Sequence, residues 1–336
     1  MDPVTAGALR DWALVAVSLF NTVLLLWLGL SLWLHADRRD PGAVLSTAGF
    51  LLGSLFFISH SALLLSKSWE LTRSNTLWLS VAMIPVLVLP FVWYVVLLNH
   101  ARHTMAEGDA TWRRHRPWLL LTSFILVLGF GGLVLLGIPH IPVVSRLTGF
   151  IWPLRQAIKL PIAGIPLVAI AYPLYVLLCV ALSVDTLRGP DPGAAPGAMR
   201  IPLRRSRRLL FAATVVLLAI GVLVATAVVW TITNTREGGY YVLRTDDVAV
   251  IAGFDLAIAL LIALVVLLLG RAMTRYELFM GKALPRRELA RQWQRAIALA
   301  AGYGVLLGGA LVWGLEPVYA VLLTAGLMTV FFVLLG

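Results

Sequence analysis

The chain has 336 residues, of which 60% are hydrophobic and only 13% charged, with a formal net charge of +11. A mean hydropathy of +0.91 is more apolar than a soluble core can absorb, which excludes a soluble globular domain. The basic excess lies in short segments between apolar runs, where anionic lipid headgroups are the natural partner, so it is not a nucleic-acid footprint.

The predicted architecture is an all-α integral membrane protein with about nine transmembrane helices. The apolar segments lie near 12–34, 43–66, 76–99, 117–138, 161–184, 209–232, 248–270, 296–315 and 317–336. They are continuous runs rather than ten-residue alternations, which excludes a porin-like barrel. The first is too long for a cleaved signal peptide, and its flank (Asp2, Arg10, Asp11) is not basic. An outside N-terminus places Arg38, Arg39, Arg102, the Arg113–Arg116 group and the Arg-rich 188–208 and 271–295 stretches in the cytoplasm. That puts nineteen of the 27 basic residues inside, as the positive-inside rule requires, and the C-terminus inside as well.

Three regions follow: a seven-helix sensor bundle over 1–270, a basic amphipathic connector over 271–295, and a helical hairpin over 296–336. The final apolar run reaches Gly336 without a basic anchor, so a cytoplasmic domain is expected to follow it. Residues 186–206, rich in Pro, Gly and Ala, read as a flexible linker ending in a basic clamp. Residues 139–160, with His140, Trp152 and Pro153, suit a surface helix or lid. The connector is expected to turn at Gly281–Pro285 and to lie on the inner leaflet.

Asp255 is the sharpest chemical signal. A carboxylate at the centre of a span costs about 2.5–3.5 kcal/mol on insertion scales, so it should face the bundle interior. Ala252, Asp255 and Ala259 form a small stripe that lets a neighbouring helix approach. Asp255 is either a ligand contact, proton site or switch, or a structural hydrogen-bonding group. His60 in the second span lies at a similar depth, with Gly53, Phe56, Phe57 and Leu64 on its face, and the two side chains can meet. Such a pair suits pH or ligand sensing; the alternative is a neutral histidine bonded to a backbone carbonyl. Asn21 in the first span can join the cluster or act as helix–helix glue.

Pro85 and Pro90 in the third span and Pro161, Pro166 and Pro173 in the fifth free backbone carbonyls and kink the helices. With Trp93, Tyr94, Tyr172 and Tyr175 nearby, they suit a cavity or a moving part. Gly304 and Gly308 form a GxxxG in the eighth span, a packing device. There is no lysine in the seventh span for a retinal Schiff base, and no HExxH, GxSxG, P-loop or EF-hand pattern. No catalytic residue, cofactor or metal site is expected. The single cysteine, Cys179, lies inside a span and gives no disulfide framework.

The run YELFMGKALPRRELARQWQRAIALAAGYGVLLGGALVWGLEPVYAVLLTAGLMTVFFVLL, residues 276–335, resembles the multi-span N-terminal sensor regions of bacterial histidine kinases. The resemblance implies a multi-pass protein of the bacterial inner (cytoplasmic) membrane, working as a homodimer and continuing into a cytoplasmic kinase domain. No phosphoacceptor histidine or ATP-binding motif is present, so no kinase activity is implied for these residues. The leading expectation is a two-component sensory domain detecting a small or lipophilic ligand from the outer side, with Asp255, His60, Asn21, Trp93, Tyr94 and Tyr172 at the ligand. The alternatives are a small-molecule transporter or channel, and a membrane scaffold subunit.

Overall fold

The computed structural model describes residues 3–35, 40–66, 73–104, 108–130, 161–162, 165–188, 197–234, 236–237, 240–241, 245–276, 286–312 and 326. Eight long helices carry it: α1 (Pro3–His35), α2 (Pro41–Leu65), α3 (Arg73–Thr104), α4 (Gly108–Phe124), α5 (Leu167–Leu187), α6 (Gly197–Asn234), α7 (Thr245–Tyr276) and α8 (Arg286–Val312). A π-helical stretch, Ile125–Phe130, continues α4. Two small antiparallel pairs accompany them: β1 (Pro161–Ile162) with β2 (Ile165–Pro166), and β3 (Arg236–Glu237) with β4 (Tyr240–Tyr241).

Local chemistry sets the helix ends. The Asp40 carboxylate accepts from the Gly42 amide at 2.9 Å and Pro41 occupies the first helical position, a strong start signal for α2. At the end of α5 the Arg207 guanidinium donates to the Leu187 carbonyl, satisfying a terminal acceptor and tying α5 to α6. The linker expected over 186–206 is shorter, since α6 already begins at Gly197.

Among the described residues seven helices are long and apolar enough to cross a membrane: Gly7–His35, Pro41–Leu65, Val81–Arg102, Ile170–Leu187, Arg207–Thr231, Asp247–Thr274 and Leu289–Val312. The predicted fourth span is described only as α4 and its π-helical continuation; the predicted ninth span, apart from residue 326, and the 139–160 lid lie outside the described residues. The fifth span starts later than predicted. Pro161 and Pro166 face each other across the β1–β2 pair, because neither can donate a helical hydrogen bond and the residue before each is biased away from helix.

Six helices close a ring in the order α1, α2, α3, α5, α6, α7, each packed on the next and α7 returning to α1. Outside it, α4 lies against α3 and α5, and α8 lies along α1 and α7. The expected division between a seven-helix bundle and a separate hairpin is thus not a packing boundary at α8. The expected surface helix of the connector is corrected too. Residues 286–295 are the first turns of α8, whose Leu289, Trp293, Ala296 and Ala300 are buried while Arg291 and Arg295 stay exposed. That spacing presents one apolar stripe to the bundle.

Two apolar clusters form the core. One joins α1, α2, α7 and α8 through Leu24, Leu28, Phe57, Met273 and Trp293; the other joins α3 and α5 through Tyr94, Leu98, Tyr175 and Cys179. On α6 and α7 large apolar side chains such as Val222, Leu260 and Leu264 point outward, as a hydrocarbon solvent permits.

Candidate functional site

The wall of a cavity of about 430 Å³ comes from all six ring helices: Leu25 of α1, Phe50 of α2, Trp93 of α3, Tyr172 of α5, Leu217 of α6 and Asp255 of α7. Nearly every lining side chain is apolar or aromatic, and Asp255 is the one carboxylate among the described lining residues.

Asp255 is held from α2. His60 Nε2 lies 2.9 Å from Asp255 Oδ2, with the side chains 14% and 34% exposed respectively, so the pair is shielded while the carboxylate keeps an open side. An ionised carboxylate can only accept, which makes the ring N–H the donor. On the other side of the ring Ser18 Oγ lies 3.3 Å from His60 Nδ1 and 2.7 Å from Ser61 Oγ. Phe56 stacks on the imidazole at 5.7 Å and Phe57 meets it edge-on at 6.2 Å, fixing its plane. The string Ser61–Ser18–His60–Asp255 crosses three helices. It resembles a hydrolytic triad in residue type alone, since Ser18 is fully buried and does not line the cavity, so it presents no nucleophile there.

Asn21 sits one turn along α1 from Ser18. Its Nδ2 donates to the Ala259 carbonyl at 3.0 Å, so it bridges α1 and α7 across the stripe of small residues beside Asp255. Its Oδ1 is buried without a hydrogen-bond partner, and Asn21 does not line the cavity. It braces the seam next to the site.

Pro90 explains how Tyr172 is placed. Lacking an N–H, it leaves the Val86 carbonyl one turn earlier without its helical donor, and the Tyr172 hydroxyl donates to that oxygen at 3.2 Å. Tyr175 donates to the next carbonyl, Leu87, at 3.3 Å. The turn of α3 before Pro90 is thus where α5 attaches to it. Trp93 reaches across to α6, its indole donating to Thr214 Oγ1 at 3.3 Å.

Tyr94 is placed elsewhere. One residue from Trp93, it points to the opposite side of α3, fully buried against α4, and does not line the cavity. Consecutive helical positions point about 100° apart, and that step turns Tyr94 away from the wall that Val92 and Trp93 line. The Tyr94 hydroxyl lies 3.0 Å from His115 Nδ1, His115 Nε2 lies 3.1 Å from Asp185 Oδ2, and Arg114 donates to the same oxygen at 2.7 Å. This junction ties α3, α4 and α5 at their basic end. Burial pushes the His115 pKa below its ordinary value, outweighing the opposing pull of the Asp185 carboxylate. Sequence reasoning missed it, because His115 and Asp185 look like ordinary residues at span edges. The only available signal was the pair of ionisable residues flanking apolar runs.

Among the described residues no group of three or more His, Cys, Asp or Glu side chains could hold a metal ion. Compared with protein-family models, curated proteins and solved structures, the chain gives no match.

Proposed function

We propose that this chain is a membrane sensory domain that binds a small lipophilic molecule between its six ring helices. The observation that carries this reading is an apolar cavity bordered by six helices with one carboxylate, Asp255, in its wall. Apolar lining with one placed polar group is the usual composition of a small-molecule site, and the carboxylate supplies orientation. A hydrated ion would find almost no polar surface along this wall, which argues against a channel.

In this reading the N-terminus is outside, the basic face is cytoplasmic, and the ligand enters from the outer side near Asp255. The chain crosses the bilayer about nine times and serves a cytoplasmic histidine kinase of a two-component system. The signal would leave through α7, which carries Asp255 at one end and packs on α8 through Trp293 near the other. A ligand whose affinity differs between two arrangements of α7 by about 1–3 kcal/mol would shift them usefully.

N-phenylnaphthylamine, a lipophilic fluorophore, tests the reading on purified protein in nanodiscs. Saturable binding is expected, with at least a tenfold loss on Val224→Trp, which fills the cavity. Spin labels at Arg271 and Arg291, exposed on α7 and α8, should change separation on loading. Binding that never saturates, or that ignores Val224→Trp, would refute it. Uptake of the fluorophore into the lumen of proteoliposomes, without label movement, would indicate a transporter.

A further inference from the structure

The polar side chains in the cavity wall are unequally available to a ligand. Trp93 spends its indole N–H on Thr214 and Tyr172 its hydroxyl proton on the Val86 carbonyl, so both direct their donors into the protein. Ser46 also lines the cavity, but its hydroxyl oxygen is buried. Asp255 differs from all three. Among the described residues its hydrogen-bond partner, His60, reaches Oδ2 at 2.9 Å, which leaves Oδ1 free to accept. Its side chain is about one-third exposed, so the carboxylate is partly open in a wall that is otherwise almost wholly apolar.

Charge decides what can sit beside that oxygen. No lysine or arginine is among the described lining residues, and with His60 neutral the His60–Asp255 pair carries one negative charge. A ligand that enters displaces water from the carboxylate and must replace that solvation. An anion cannot, because it meets a like charge. A neutral hydroxyl gives back one hydrogen bond and leaves the charge uncompensated. A protonated amine gives a charge-assisted hydrogen bond and neutralises the site in one contact. A bare metal ion fits poorly, since one carboxylate in an apolar wall cannot supply the several oxygen ligands that hard cations take. The aromatic lining favours the same choice. Phe56 lies one turn before His60 on α2, and Trp93 and Tyr172 come from α3 and α5. Aromatic surface accommodates an ammonium group as well as the hydrocarbon that carries it.

We infer that the cavity takes lipophilic amines in their protonated form, with the ammonium group on Asp255 and an aryl or alkyl body along the apolar wall. The assignment rests on the reading of the cavity as a lipophilic binding site and adds the charge of its occupant. His60 is then a positioning residue: its ring N–H holds Oδ2, and the stacked Phe56 holds the ring. The apolar wall contributes affinity for any hydrocarbon body, and the carboxylate selects the head group.

The experiment is displacement of N-phenylnaphthylamine, itself uncharged, from the full chain in phosphatidylcholine nanodiscs at pH 8. The competitors share one skeleton and differ in head group: 4-phenylbutylamine, 4-phenylbutanol and 4-phenylbutanoate. The amine should displace at a concentration at least about tenfold lower than the alcohol, with the carboxylate weakest. Asp255→Asn keeps an acceptor for His60 yet loses the charge, and should bring the ratio of amine to alcohol to about one. That ratio is compared between the two proteins, so unequal partitioning of the competitors into lipid cancels. If the fluorophore binds saturably but amine and alcohol displace it equally, the cationic ligand is overturned while the lipophilic site stands. The carboxylate matching the amine, or an amine preference that survives in Asp255→Asn, overturns it likewise. If the fluorophore itself fails to bind saturably, the site falls and this assignment with it. Monodisperse elution and an unchanged helical spectrum show that the variant folds; if it does not, the three competitors on the native chain still decide.

Discussion

Replacing Gly304 by alanine sets two effects of opposite sign against each other on one helix. A glycine inside a helix costs about 0.5–1 kcal/mol relative to alanine, so the substitution gains that much wherever space allows. At Gly302 space does allow it: a methyl group there meets nothing within 4 Å. At Gly304 the same methyl would run into the Ala16 carbonyl oxygen of α1, and at Gly308 it would lie 3.2 Å from the Ala16 backbone. A backbone oxygen cannot swing aside as a side-chain end does, so α1 and α8 must separate. Overpacking of this kind costs about 1–3 kcal/mol. Gly302→Ala should therefore stabilise by about 0.5–1 kcal/mol, while Gly304→Ala comes out neutral to destabilising by about 2.5 kcal/mol. The two variants should differ by about 1–3 kcal/mol, with Gly308→Ala between them. Reversible unfolding of the purified protein in mixed micelles measures this, and because the residues sit two apart on one helix, propensity cancels in the comparison. Equal stability of Gly302→Ala and Gly304→Ala would show that α8 does not pack on α1 through this face.

The His115 junction predicts a pH dependence. Its pKa is lowered in the folded protein, so the unfolded chain takes up the proton first; stability is fully present above the ordinary histidine value and is lost as pH falls from there toward the folded pKa. Unfolding measured from neutral to mildly acidic pH should show a decline that His115→Gln flattens. An unchanged slope would mean that burial at this junction does not hold the ring neutral against the pull of Asp185. For the proline kink, Tyr172→Phe should cost about 1 kcal/mol in the native background and clearly less with Pro90→Ala, which restores an N–H for the Val86 carbonyl. Additive losses in the double variant would refute the account of how α5 is tied to α3.

Period and hydropathy alone made the chain a helical membrane protein and located seven of its apolar helices, because a spanning helix must satisfy its own backbone and present apolar side chains to lipid. The cost of an intramembrane carboxylate singled out Asp255, and depth along the spans placed His60 within reach of it. Sequence could not separate Trp93 from Tyr94, since neighbouring residues diverge on a helix and only packing chooses which one meets the cavity. It counted Pro161 and Pro166 within a span although they lie in a short hairpin before it. It also read residues 286–295 as a surface helix, because the same amphipathic stripe suits a lipid headgroup layer or the groove between α1 and α7. The contacts of Ser18 and the His115 junction depend on side chains from different helices meeting in space. No pattern along the sequence encodes such a meeting; the packing of six helices into a ring, and of α4 against α3 and α5, decided it.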